Sequence, residues 1–297
     1  MPQLECVPNV SEGRDGALID AFARAIADAG AQLLDVHADP DHNRSVFTFL
    51  GPAETAERAA LALSRAVVQT LDLRVHRGGH PRFGVVDVIP FVPLQGASMR
   101  DAVRSAHRLG AALAADLHLP VFYFGAAAIR PERAELPAIR AGQFEGLAAR
   151  MAAAAGSPDA GPLRPHPSAG AVAIGARGVL IAFNAVLDTR DLEVARAIAR
   201  AIRASSGGLP EVRAIGVCLP SRGRVQVSMN LLAYHRTGVP VVMDAVDREA
   251  TSRGVTVLEF ELVGCAPADA FQRVDRSRVR CTAGQLLEPA LFDRGPT

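Results

Sequence analysis

Val212-Arg-Ala-Ile-Gly-Val-Cys-Leu219, Pro220-Ser-Arg-Gly223 and Arg224-Val-Gln-Val-Ser-Met-Asn-Leu231 read as two strands joined by a tight turn. Upstream, residues 179–187 form a β-branched and apolar run, and residues 192–204 carry apolar positions at helical spacing. Downstream, residues 239–252 predict a helix with a proline in its first turn, and residues 256–263 a closing strand. The order is β-α-β-β-α-β, the ferredoxin-like unit. Working outward to the N-terminus, residues 3–92 fit the same order. Strands are expected near 4–10, 32–36, 44–50 and 85–91, with helices over 15–29 and from Pro52 to about Leu71. Helices over 99–117 and 142–154 and a strand over 121–124 are then added. The fold class is therefore α/β (α+β), with two ferredoxin-like βαββαβ modules, each a mixed or antiparallel sheet with helices on one face. The expected domains are 1–178 and 179–297.

The 297 residues are enough to bury a full core, and 49% apolar with 21% charged residues is a globular composition. Arginine and lysine together number 32 against 31 acidic residues, a net charge of +1, which provides no electrostatic track for nucleic acid. All the basic residues are arginine, so a lysine Schiff base and a Walker A loop are excluded. Cys6, Cys218, Cys265 and Cys281 lack C-x-x-C spacing and read as buried thiols of a reducing compartment. The longest run free of charged side chains, residues 117–129, is short of a membrane span, and no export signal is visible. A cytoplasmic protein without membrane attachment is expected.

Three polar clusters stand out. In His76-Arg77-Gly78-Gly79-His80-Pro81-Arg82-Phe83-Gly84, His80 sits between glycine and proline on a turn at a strand entrance, a place suited to acid–base work or to a plain surface turn. Arg82 has the fork to clamp a carboxylate, or to pair locally with Asp87. Asp35-Val36-His37-Ala38-Asp39-Pro40-Asp41-His42-Asn43-Arg44 joins two strands. Its residue types suit a metal, a ligand cleft or a solvated turn, but it has no known metal-loop spacing. In Asn9-Val10-Ser11-Glu12-Gly13, Ser11 or Asn9 is placed to cap the following helix. Asn184, Ser228 and Asn230 are polar residues in strands, marking a polar face or ligand edge. Residues 156–170, with four prolines, are a linker or a functional loop. His107 and His118 read as structural.

The chain resembles the formiminotransferase domain of glutamate formimidoyltransferases, the first half of animal formiminotransferase-cyclodeaminases. The resemblance is carried, in order, by Glu5-Cys-Val-Pro-Asn-Val-Ser-Glu-Gly13, Leu33-Leu-Asp-Val36, Asn43-Arg-Ser-Val46, Gly79-His-Pro-Arg-Phe-Gly-Val-Val-Asp-Val88, Leu136-Pro-Ala-Ile-Arg-Ala-Gly142, Leu180-Ile-Ala-Phe-Asn184 and Gln226-Val-Ser-Met-Asn-Leu231. It implies transfer of a formimino group from N-formimino-L-glutamate to N5 of tetrahydrofolate, giving 5-formiminotetrahydrofolate and L-glutamate, in histidine degradation. A neighbouring possibility is a related folate-dependent transferase with another donor, an enzyme acting on 5-formyltetrahydrofolate, or a folate-binding protein without turnover.

The resemblance makes His80 the proton acceptor, able to serve as base and then acid, in a cleft between the subdomains. His37 and Asp39 join it as catalytic candidates, because better-known members carry an acidic residue where this chain has His37. Arg44, Arg82, Asn9, Asn184 and Asn230 are the expected substrate contacts. The segment 159–170 is implied in folate binding through Asp159, Gly161, Pro162, His166, Ser168 and Gly170, with Ala169 standing where those members have tryptophan. Tetrahydrofolate is the acceptor substrate and no metal is expected. The expected assembly is a homodimer, with a separate cyclodeaminase acting downstream.

Overall fold

The computed structural model describes residues 1–288 and 291. The chain divides into two compact units, residues 1–177 and the residues from Gly178 onward.

The first unit begins with a strand broken in two, β1 (Leu4–Cys6) and β2 (Asn9–Val10). Then follow α1 (Gly16–Asp28), β3 (Gln32–Asp39), β4 (Arg44–Gly51), α2 (Ala53–Thr70), β5 (Val86–Pro93), α3 (Met99–Leu117), β6 (Val121–Gly125), α4 (Leu136–Arg140), α5 (Gln143–Ala152) and β7 (Val172–Ala176). Both β1 and β2 pair antiparallel with β4 on one side and β5 on the other, and β3 flanks β4. That gives the ferredoxin-like neighbour order, with the last strand of the motif beside the first. β7 then inserts between β5 and β6, parallel to both. The sequence reading contained no strand at β7, whose Val-Ala-Ile-Gly-Ala is short and of small residues; parallel pairing on both sides makes it a strand.

Alternation along the strands decides what each sheet face carries. Leu4, Cys6, Val10, Phe47, Phe49, Ile89, Phe91, Val172 and Ile174 pack with Ile19, Phe22 and Ile26 of α1, Leu63 and Val67 of α2, and Leu109 and Leu113 of α3. Each fully buried side chain of this size contributes about 1.5–3 kcal/mol relative to exposure. On the opposite face, α4 and α5 place Ile139, Leu147 and Met151 over Val88, Phe122, Phe124 and Ala173. That smaller cluster lies toward the β5–β7–β6 end. Asn9, His37, Asp39 and Arg44 belong to the same face at the other end.

Glu5 of β1 is buried, and desolvation pushes its carboxyl up to about 7, against the Arg177 charge that pulls it down. Its native pKa exceeds the unfolded one, so its contribution to stability is full below about pH 4.5 and lost as pH rises to about 7. We expect Glu5→Gln to remove roughly 3 kcal/mol of pH dependence between those limits, read from denaturant unfolding at pH 4.5 and 7.5. An unchanged slope would place the dependence elsewhere.

The second unit comprises β8 (Ile181–Leu187), α6 (Leu192–Ile202), β9 (Val212–Leu219), β10 (Arg224–Leu231), α7 (Val239–Thr251) and β11 (Val257–Val263), with short strands β12 (Ala266–Pro267), β13 (Val279–Arg280) and β14 (Leu286–Leu287). The main sheet runs β13-β11-β8-β10-β9, again the ferredoxin-like order, with β13 added parallel at its edge. Ala195, Ile198, Ala199 and Ile202 make the buried stripe of α6. Asn184, Ser228 and Asn230 lie on the sheet face away from the helix-packed residues Phe183, Val227 and Met229.

All four cysteines are free thiols, but Cys218, expected buried, is exposed. No described helix is long and apolar enough to cross a membrane.

Candidate active site

Two loops of the first unit meet because two glycines let them. A side-chain carbon at Gly13 would come within 2.3 Å of the Asp39 carbonyl oxygen, and one at Gly78 within 2.1 Å of the His42 carbonyl oxygen. No larger residue fits either position. The β3–β4 connection, residues 40–43, is then held from both sides. The Gly13 N–H donates to Asn43 Oδ1 (3.0 Å), Asn43 Nδ2 to the Arg77 carbonyl (3.0 Å), and the Gly79 N–H to the Asp41 carbonyl (3.1 Å). His80 thus stands beside the end of β3 although about forty residues separate them.

His80 is half-buried. Its Nδ1 lies 2.7 Å from the Pro81 carbonyl oxygen, which only accepts, so Nδ1 carries the hydrogen. Nε2 therefore presents a lone pair, and the Arg44 guanidinium donates to it. Desolvation first, then the charges of Arg44 and Arg140, hold the imidazole well below its ordinary pKa. Arg44 is itself pushed down to about 10 by burial and by Arg140, against Asp87 and Asp39. Neutral His80 is a base waiting for a proton.

Arg140, at the end of α4, pairs with Asp87, whose other oxygen accepts the Phe83 N–H at 2.8 Å. Sequence reading left Arg140 unassigned, although it lies within Leu136-Pro-Ala-Ile-Arg-Ala-Gly142. The local Arg82–Asp87 pair considered from sequence does not form. Arg82 instead makes a two-pronged contact with Glu145 (2.9 and 2.8 Å) and donates to His76 Nδ1 at 3.3 Å. Hydrogen bonding from Arg82 brings the Glu145 carboxyl down to about 2. Glu145, from α5, carried no signal because its partner is over sixty residues away. Beside this pair opens a cavity of about 590 Å³ lined by Arg74, His76, Arg77, Arg82 and Phe144.

Asp39 ends β3. Its Oδ1 accepts the N–H groups of Asp41 (2.8 Å) and His42 (2.9 Å), and Oδ2 meets His42 Nδ1 at 2.5 Å. Burial works against ionisation, but the His42 ring and these N–H groups outweigh it and hold the carboxyl at about 2. His37 shares the Asp39 side of β3, opposite Val46. Asn9, on β2, donates its Nδ2 to the Val7 carbonyl at 2.9 Å. Neither Ser11 nor Asn9 caps α1: Asp15 does, accepting from Ala17 and Leu18, while Ser11 Oγ donates to the Gly84 carbonyl. The cap is at Asp15 because the chain between Ser11 and the helix is occupied by the Gly13 crossing.

The proline-rich loop is tied down rather than loose. Asp159, whose side chain is only 1% exposed, accepts from Arg133 (2.7 Å) and from the Tyr123 N–H of β6 (2.8 Å), with Arg130 at 3.6 Å. Gly161 and Gly170 both have left-handed backbone. At Gly170 a side-chain carbon would sit 2.1 Å from the Phe83 carbonyl oxygen, so the loop end lies directly against the His80-bearing segment. His166 and Gly170 exchange backbone hydrogen bonds, and His166 Nδ1 accepts the Ala169 N–H at 3.0 Å. Pro162 and Ser168 are half-buried. Ala169 faces the helix-side core at 1% exposure. In the second unit, Asn184 donates to Glu261 at 3.3 Å and Asn230 is exposed.

Among the described residues no group of three or more His, Cys, Asp or Glu side chains is placed to hold a metal ion. Residues 3–177 match the model of the N-terminal subdomain of the formiminotransferase domain, and residues 182–283 match that of the formiminotransferase domain. The chain belongs to the formiminotransferase family. It is 43% identical to a glutamate formimidoyltransferase of Thermoplasma acidophilum over 97% of both chains. Identity to the glutamate formimidoyltransferase of Streptococcus pyogenes serotype M1 is 39%, over 90% of both. Against the formimidoyltransferase-cyclodeaminase of Sus scrofa it is 43%, over 97% of this chain and 54% of the pig protein. Within this formiminotransferase domain, the first unit contributes the His80, Arg44 and Asp39–His42 cluster.

Proposed function

We propose that the protein transfers the formimino group from N-formimino-L-glutamate to N5 of tetrahydrofolate, releasing L-glutamate and 5-formiminotetrahydrofolate, a step of histidine degradation. The observation that carries this reading is the match of both units, in order, to the formiminotransferase domain. The neutral His80 supports it from the side of chemistry. N5 attacks the formimino carbon and becomes cationic as the bond forms. His80 Nε2 then takes the N5 proton. A base held below ordinary imidazole basicity suffices, because the nitrogen it deprotonates is a strong acid at that moment. Holding donor and acceptor together supplies the orientation that a two-substrate reaction needs.

Arg44 is the cation assigned to a donor carboxylate. It now donates to His80 Nε2, so an arriving carboxylate that draws Arg44 away also frees the base. Arg82 would have to leave Glu145 to play the same part. Asn9, Asn184 and Asn230 remain assigned to substrate, with His37 beside the reacting centre. Of the folate segment, Gly161, Pro162, His166, Ser168 and Gly170 are assigned to the acceptor. Homodimeric assembly, a cytoplasmic setting and consumption of the product by a separate cyclodeaminase belong to the same reading.

The test is direct: purified protein, tetrahydrofolate and N-formimino-L-glutamate, following glutamate and the new folate together. Equal release of both is expected; folate binding without glutamate release overturns the reaction. For Arg44→Ala, loss of a charged hydrogen bond should raise the donor KM by about 10- to 100-fold. The acid limb of kcat/KM should also move up toward the ordinary imidazole value, since a cation has left His80. An unchanged KM would assign the carboxylate to another arginine.

A further inference from the structure

The Asp39–His42 pair is a second acid–base device at the edge of the first. The Asp39 carboxyl only accepts, so the 2.5 Å contact requires the hydrogen on His42 Nδ1. Two backbone N–H groups fix the other carboxylate oxygen, which leaves the pair one orientation. The opposite ring nitrogen, His42 Nε2, is buried and has no hydrogen-bond partner. Leaving such an atom unsatisfied costs about 1–3 kcal/mol, so a site that keeps it is one where something else supplies the partner. The His42 ring stands edge-on to the His80 ring, centroids 5.9 Å apart and planes at 86°. Its Cδ2, bonded to Nε2, lies beside Gly79, the residue before His80. The charges around the two rings are opposite: His80 faces Arg44 and Arg140, whereas His42 has the Asp39 carboxylate.

The reaction has two proton transfers, at different nitrogens. We propose that His42, held by Asp39, is the acid that protonates the glutamate nitrogen as it departs, while His80 is the base for N5. The inference rests on the formimino-transfer reading and divides its proton handling between two rings. In the first step the N5–carbon bond forms, the carbon–nitrogen π pair moves onto the imino nitrogen, and the N5 proton passes to His80 Nε2. In the second, the π bond re-forms, the carbon–glutamate nitrogen bond breaks, and that nitrogen takes the proton from His42 Nε2. His42 enters this step as the imidazolium, paired with the Asp39 carboxylate, and ends neutral with its Nδ1 hydrogen still donated to Asp39. His80 then releases the N5 proton to solvent and His42 takes one up from solvent, so each ring returns to its starting state and the cycle closes with no net change. Asp39 is a positioning residue in this scheme.

The test uses the full chain with His42→Gln, His42→Ala and Asp39→Asn. Loss of a leaving-group acid should lower kcat about 100-fold, with tetrahydrofolate affinity unchanged. Breakage of the glutamate carbon–nitrogen bond then limits the rate, so the ¹⁵N isotope effect at that nitrogen should rise in His42→Gln and Asp39→Asn. It should not rise in His80→Gln, where proton removal from N5 is impaired instead. Free imidazole should restore part of the turnover of His42→Ala and none of that of His80→Gln. Asp39→Asn keeps an acceptor for the two backbone N–H groups, and so reports even if a His42 variant folds poorly. A kcat within threefold of the unaltered protein overturns the proposal, as does a loss with neither a raised isotope effect nor imidazole rescue. Failure of the reaction reading would instead show as no glutamate release by the unaltered protein.

Discussion

Replacing His80 with alanine is expected to lower kcat by about 1,000-fold, while tetrahydrofolate affinity stays within a few-fold of the original. Among the described residues the ring's polar contacts are to the Pro81 carbonyl and to Arg44, so its removal leaves the surrounding strands paired as before. Arg44 gains freedom, and donor binding should if anything strengthen. Stopped turnover with retained folate binding, measured by calorimetry and product release on one preparation, identifies a group that acts on the reacting atoms. Near-normal turnover would remove His80 from the mechanism. The same ring should mark the pH profile. Activity requires His80 unprotonated, and its native pKa lies well below 6.5, so kcat/KM should stay level on acidification through pH 6.5 and fall only further down. A depressed native pKa also means that the unfolded chain binds the proton first. Stability from this group is therefore present above pH 6.5 and lost as pH falls below it. An acid limb centred at or above 6.5 would contradict the assignment.

The largest stability effect is expected at Asp159. Its carboxylate is enclosed with the Arg133 guanidinium, itself only 6% exposed, and also accepts the Tyr123 N–H. Removing one member of such a pair leaves a buried charge uncompensated, at a cost of about 3–5 kcal/mol. For a unit of this size Asp159→Ala should lower Tm by roughly 10 °C. Asp159→Asn keeps an acceptor for Tyr123 and should lose less. The resemblance alone assigns this residue to folate. The partners it has in the fold make it an anchor of the loop on β6. Thermal melts of the two variants, with folate titration below the transition, separate these roles. An unchanged Tm together with a tenfold weaker folate affinity would make Asp159 a ligand contact.

Much of this protein was legible from local pattern. The two βαββαβ rhythms are visible because each helix has a buried stripe at 3.6-residue spacing and each strand alternates, and those periods are written in neighbouring residues. The His80 turn could be read the same way, from glycine and proline on either side of one histidine. What escaped reading is non-local. β7 is a strand only because β5 and β6 lie beside it. Arg82 and Glu145, Arg140 and Asp87, and Asp159 and Arg133 are partners across 26 to 63 residues, and a guanidinium has no sequence signal telling which carboxylate it will meet.

The same division holds at the candidate active site. Sequence by itself determined the fold class, the order of both modules and the family, and offered the histidine at position 80 as the candidate base, because these depend on short-range periodicity and on motifs kept in order. The tertiary structure decided which state that histidine is in and what stands next to it. Gly13 and Gly78 allow two loops to approach within backbone contact, and that approach brings Arg44 to His80 and stands the Asp39–His42 pair beside it. Desolvation and neighbouring charge act through space, so the chemistry of these side chains exists only once the chain has folded around them.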